Sequence, residues 1–199
     1  MSLAERLRQA LAAGQDGELA LLTGDVQDEE VAGVPASPAA VLIAVTDRAE
    51  PGVLLTVRTA TLSKHPGQIA FPGGRIDASD VSPTAAALRE AHEEIGLPPH
   101  TVDVVGIADR YRTVTGFDVT PVLGVVPPDL VLAPNPAEVA DVFEVPLAFV
   151  LENSNHLAAS AEWRGRTRHF YEIMWDGRRI WGATAAIIVN LSRRLQWTA

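Results

Sequence analysis

Three glutamates stand within five residues of one another: Glu90, Glu93 and Glu94. On a helix, spacings of three and four place all three on one face. Carboxylates crowded in this way repel one another, and a hard divalent cation such as Mg²⁺ or Mn²⁺ relieves that repulsion with oxygen ligands. Such a cation polarises phosphoryl oxygens and lowers the pKa of a bound water, which is the chemistry of phosphate-ester and anhydride hydrolysis. A solvated helix face shows the same spacing, so the glutamates alone do not decide. The pair Gly73-Gly74 adds weight, because glycines let backbone amides and carbonyls come close to a metal or a phosphate. The chain has no cysteine, which excludes disulfides, thiolate metal sites and cysteine nucleophiles.

These residues need elements to hold them. The carboxylates fit a helix from about Pro83 to Ile95, with Ser82 as N-cap, Pro83 in the first turn, and Gly96 with Pro98-Pro99 as the stop. Leu88, Ala91 and Ile95 give that helix an apolar face. Upstream, the continuous apolar run 40–45 reads as a strand covered on both faces, followed by a strand at 53–58 and a shorter one at 68–71. Further strands are expected at 102–112 and 118–126, with Tyr111 to Pro121 forming a hairpin whose aromatics either pack or stack on a base. A short helix near Pro146, a strand pair around 157–174 and a last helix over 183–195 complete the chain. Helices spread among many strands indicate an α/β fold, a mixed β-sheet sandwiched between helices.

Residues 2–13 read as a short amphipathic helix with Leu3, Leu7, Ala10 and Leu11 on one stripe, which covers either its own core or a dimer contact. From Gly14 to Pro38 the composition shifts to Gly, Pro and acidic residues, with a short apolar segment at 19–22. The expected organisation is an N-terminal helix and linker over 1–35 and one domain over 36–199.

The segment from Gly73 to Leu97 resembles the Nudix box: Gly, five residues, Glu, seven residues, then Arg-Glu-U-x-Glu-Glu-x-Gly-U, where U is bulky and apolar. Gly74 is followed by five residues and Asp80, and the second half reads Arg89-Glu90-Ala91-His92-Glu93-Glu94-Ile95-Gly96-Leu97. Asp80 replaces the usual Glu, eight residues separate it from Arg89, and Ala91 is small. The resemblance implies a Nudix fold, Glu90 and Glu94 as main metal ligands, and Glu93 as a further ligand or base. It also implies the carbonyl of Gly73 as a ligand and Arg89 as the residue that orients the carboxylates, with Asp80 as its partner. A late carboxylate from a loop beyond the box is frequent in such enzymes, and Glu138 is the first candidate.

The stretch from Leu54 to Gly74 is similar to the extra motif of the coenzyme A pyrophosphatase branch: Leu-Leu-Thr-x-Arg, a Leu, a His-x-Gly turn and Phe-Pro-Gly-Gly. Thr59 stands where Ser or Ala is usual, and the eight-residue gap is ordinary for this subgroup. Arg58, Lys64 and His65 gather positive charge beside the acidic site, which suits a substrate carrying a 3′-phosphate as well as a diphosphate. The implied reaction is metal-dependent cleavage of coenzyme A to 3′,5′-ADP and 4′-phosphopantetheine. The rivals are a Nudix hydrolase for another nucleoside diphosphate, such as NADH or ADP-ribose, and a non-catalytic nucleotide sensor.

Sixteen Lys and Arg against twenty-five Asp and Glu leave a net charge of −9 over 199 residues, which argues against general nucleic-acid binding. No apolar run is long enough to span a bilayer, and the N-terminus lacks the apolar stretch of a secretion signal. The expectation is a soluble, cytoplasmic enzyme acting on a small molecule, as monomer or homodimer.

Overall fold

A ten-residue strand, β1 (Ser37–Thr46), is the axis of the molecule, and its two rows of side chains explain the layers around it. In the computed structural model, which describes residues 1–14, 35–60, 66–163 and 165–196, Ala40, Leu42 and Ala44 face one helix layer. Ala39, Ile43 and Val45 face the other. Side chains alternate along a strand, so an uninterrupted apolar run means cover on both sides.

The cover on the first side is α2 (Pro83–Ile95), which buries Ala86, Ala87, Ala91 and Ile95 against β1. Its ends lie where the sequence marks them. Ser82 accepts a hydrogen bond from the Ala85 amide at 3.1 Å, and Gly96 takes the left-handed conformation that closes a helix, φ 69°. The second side is covered by α1 (Leu3–Ala13) together with a C-terminal helix over Ala183–Leu195. Leu3, Leu7 and Leu11 of α1 share one core with Ile187, Ile188 and Leu191 of that last helix. Arg194 locks the two together, donating to both carboxylate oxygens of Asp109 and to the carbonyl of Gly14.

The main sheet is mixed. β1 runs parallel to β7 (Phe117–Val126) over its whole length, and the other pairings are antiparallel. On the far side of β1 the sheet divides. β2 (Gly52–Arg58) pairs with it at Val45↔Val53, then β3 (Ile69–Ala70) pairs with the upper end of β2 and β4 (Gly73–Arg75) with the upper half of β1. The chain from 69 to 75 therefore bridges a split in the sheet, and the glycine pair lies at that split. β5 (Asp103–Ile107) and β6 (Tyr111–Arg112) pair with β7, so Tyr111 to Pro121 is a hairpin. Tyr111 is buried, which assigns its ring to packing.

Three strands among the described residues were not read from the sequence: β4, β8 (Val139–Pro146), which pairs with β2, and β11 (Arg178–Trp181). The last joins β9 (Leu157–Trp163) and β10 (Arg166–Trp175) in a separate antiparallel sheet. The short helix at Pro146 is α3 (Leu147–Leu151), which makes the C-terminal helix α4. Linker residues 15–34, with the apolar segment 19–22, lie outside the described residues, and β1 begins at Ser37. No helix among the described residues is long and apolar enough to cross a membrane.

Candidate metal and phosphate site

Gly73 and Gly74 bring backbone against the carboxylate helix from β4. The Gly73 amide donates to Oε2 of Glu94 at 3.0 Å. A Cβ on Gly74 would lie 2.6 Å from the carboxylate of Glu90, so that carboxylate rests where only glycine leaves room. A Cβ on Gly73 would meet the Ala40 carbonyl oxygen at 2.4 Å and the Val41 Cα at 2.6 Å. The pair thus serves two neighbours: Gly73 the strand, Gly74 the acidic side chain.

Glu94 is the buried member of the acidic set, with 4% of its surface exposed. Burial pushes its carboxyl up to about 7, aided by the negative charges of Glu90 and Glu138 and opposed by the Gly73 amide and by Arg58. Arg58 Nη1 stands 3.9 Å from Glu94 Oε1, and the Arg58 Nε is buried with no hydrogen-bond partner among the described residues. Glu90 is raised as well, first by burial and then by Glu93 and Glu138, against the pull of Arg89.

Arg89 organises the other carboxylates. It grips Asp80 with two bonds, Nε to Oδ1 at 3.0 Å and Nη2 to Oδ2 at 2.9 Å. Its Nη1 donates to Glu90 at 2.9 Å and to Glu93 at 3.0 Å, and its Nη2 also donates to the carbonyl of Arg75 at 3.1 Å. The Arg89 hydrogen bond is the main reason the Asp80 carboxyl lies below its ordinary value. Asp77 helps by donating its amide to Asp80 at 2.8 Å.

The three glutamates are neighbours on α2 and turn to different partners. Glu94 turns inward to Gly73, while Glu93 is half exposed and tied to Arg89. Among the described residues, no three acidic or histidine side chains close on one point as a ready-made metal cage. What the fold assembles is an oxygen-rich, electrostatically strained rim. Glu138 belongs to it, since its charge raises both Glu90 and Glu94. The loop that carries Glu138 is pinned to the end of α2: Ala133 donates to the Ile95 carbonyl at 2.9 Å and Asn135 to the Glu94 carbonyl at 2.8 Å. The Asn135 side chain also reaches Oε1 of Glu138 at 3.4 Å.

This donor set fits a hard divalent cation: it offers carboxylates, and their mutual repulsion falls when positive charge enters. Sequence reasoning missed the Arg58–Glu94 contact and the role of Asn135, because both partners are far apart in the chain. Lys64 and His65 lie outside the described residues.

The family model described as NUDIX domain matches residues 36–164. The chain belongs to the Nudix family. Among curated relatives, the "Uncharacterized Nudix hydrolase NudL" of Cronobacter sakazakii (strain ATCC BAA-894) is 48% identical over 157 residues, 79% of this chain and 82% of that protein. The protein of the same name from Escherichia coli (strain K12 / DH10B) is 44% identical over the same shares. Among solved structures, the Nudix hydrolase RenU from M. smegmatis is 30% identical, with a TM-score of 0.48 over 56% of this chain and 71% of that one. The mixed sheet between helix layers is thus a Nudix fold, and the chain is a Nudix hydrolase. Hydrolases of this family act on small molecules and generally use divalent metal ions.

Proposed function

We propose that this Nudix hydrolase cleaves the diphosphate of coenzyme A, giving 3′,5′-ADP and 4′-phosphopantetheine. The observation that carries this reading is the contact between Arg58 and Glu94. It joins the strand bearing Leu54-Leu55-Thr56-Val57-Arg58, the part that resembles the coenzyme A branch, to the carboxylate helix.

In this reading Glu90, Glu93 and Glu94, with the carbonyl of Gly73, would hold Mg²⁺ or Mn²⁺. A bound divalent cation supplies charge neutralisation at the diphosphate and a more acidic water. The chain's own residues do the rest. Arg89 holds Glu90 and Glu93 in place, with Asp80 as its anchor. Arg58, Lys64 and His65 supply positive charge toward the phosphates of the substrate. Glu138 takes the proton of the attacking water at Oε2, while Asn135 keeps Oε1 occupied.

The test is incubation with coenzyme A and Mg²⁺ or Mn²⁺, beside Glu94→Gln, followed by separation of products. Metal-dependent release of 3′,5′-ADP, absent in the variant, is the expected result. Turnover of NADH or ADP-ribose but not coenzyme A would keep the acidic rim and discard the substrate. No turnover of any diphosphate would leave a nucleotide sensor as the better description.

A further inference from the structure

A three-residue strand offers two faces, and β4 uses them for opposite charges. Gly74 pairs with Ala40 and looks toward α2 and Glu90, whereas Arg75 pairs with Ala39 and belongs to the other face. There the Arg75 guanidinium lies over the ring of Phe117, 5.5 Å from its centroid. An aromatic face attracts a cation without cancelling its charge, unlike a carboxylate.

The neighbouring arginines with named partners are neutralised by acids. Arg58 faces Glu94, Arg89 serves Asp80, Glu90 and Glu93, and Arg110 pairs with Asp118. Arg75 is exposed, has no acidic partner among the described residues, and sits two residues from the amide that touches Glu94. Its backbone is held by the hydrogen bond that its carbonyl accepts from Arg89 at 3.1 Å, and the Phe117 ring lies beneath its guanidinium. Same-face residues on a strand are roughly 7 Å apart. A nucleotide with its diphosphate at the Gly73 end, at the split in the sheet, would meet Arg75 with its next anionic group if that group passes to the face that carries Phe117.

We propose that Arg75, supported by Phe117, binds the 3′-phosphate of coenzyme A and so sets the preference for the phosphorylated nucleotide. This rests on the coenzyme A reading above, and it moves the 3′-phosphate contact from Arg58, which is drawn to Glu94, to Arg75. A guanidinium pairs with two phosphate oxygens at once, a geometry that lysine lacks.

The experiment compares KM for coenzyme A and for 3′-dephospho-coenzyme A in the wild type, Arg75→Ala and Arg75→Lys, with melting curves to show that each is folded. The wild type should favour coenzyme A. In Arg75→Ala its KM should rise about tenfold or more, with less than about a twofold change for the dephosphorylated form. Arg75→Lys should restore part of that preference. A merely structural role would raise both KM values together, and that result overturns the inference. A wild type that does not distinguish the two substrates overturns it as well, leaving hydrolysis of coenzyme A intact. Cleavage of neither substrate removes the underlying reading, and the inference falls with it.

Discussion

Arg89 and Asp80 meet through two parallel hydrogen bonds, at 3.0 and 2.9 Å, across the loop that leads into the carboxylate helix. The same guanidinium reaches Glu90 and Glu93, so the pair transmits the loop's position to the acidic residues. Asp80→Asn should lower kcat/KM by about tenfold while leaving the helix formed.

That pair also carries a pH signature. The folded-state carboxyl of Asp80 lies below its ordinary value of 3.8, so its stabilisation is full above that value and is lost as pH falls through the folded value. Urea titrations of the wild type and Asp80→Asn should differ at pH 7 and converge in strong acid. A difference that persists unchanged at low pH would assign the effect to packing.

Glu94 has the opposite sign. Its carboxyl is raised from 4.5 to about 7 by burial, so the folded protein holds a proton there that the unfolded chain has released. Stability from this group is full below about 4.5 and is lost as pH rises to about 7. In EDTA, Glu94→Gln should match the wild type near pH 4 and exceed it at pH 8, by on the order of 2 kcal/mol. Adding Mn²⁺ at pH 8 should raise the melting temperature of the wild type and leave the variant unmoved. The variant should lose about a hundredfold or more in kcat.

The two glycines should separate structure from chemistry. Gly73→Ala drives a Cβ into the backbone of Ala40 and Val41, which cannot swing aside. A loss of about 2 kcal/mol or more in urea unfolding is expected. Gly74→Ala meets first the carboxylate of Glu90, at the end of a flexible side chain. Stability should change by less than about 1 kcal/mol, while the half-saturating metal concentration rises about tenfold. Equal stability losses for both would place Gly74 in the scaffold alone.

Helix α1 belongs energetically to the core. Leu7 is fully buried between the sheet and the last helix. Leu7→Ala should destabilise the protein by about 3 kcal/mol and leave KM unchanged. A normal melting curve would mean that the helix contributes little to folding.

The sequence by itself determined what is local. Helix α2 begins at Ser82 and ends at Gly96 because the capping hydroxyl and the left-handed glycine are written at those positions, and α4 spans 183–195 as its apolar pattern requires. The two-sided cover of β1 follows from an unbroken apolar run, and the box at 73–97 marks the acidic helix before any fold is known. Strand β8 escaped because its valines, at 139, 142 and 145, fall every third residue instead of alternating, with Asp141 and Glu144 among them, and Val139 and Val145 are buried only beside β2. The tertiary structure alone decided how the charges are shared. Helical spacing places three glutamates as neighbours, but whether each faces an arginine, an amide or solvent depends on strands elsewhere in the chain. Burial beneath the glycine split raises the pKa of Glu94, whereas the side chains of Glu90 and Glu93 are held by hydrogen bonds from Arg89. The physical reason is that desolvation and Coulomb energy depend on distances between groups far apart in sequence, and only the folded chain sets those distances.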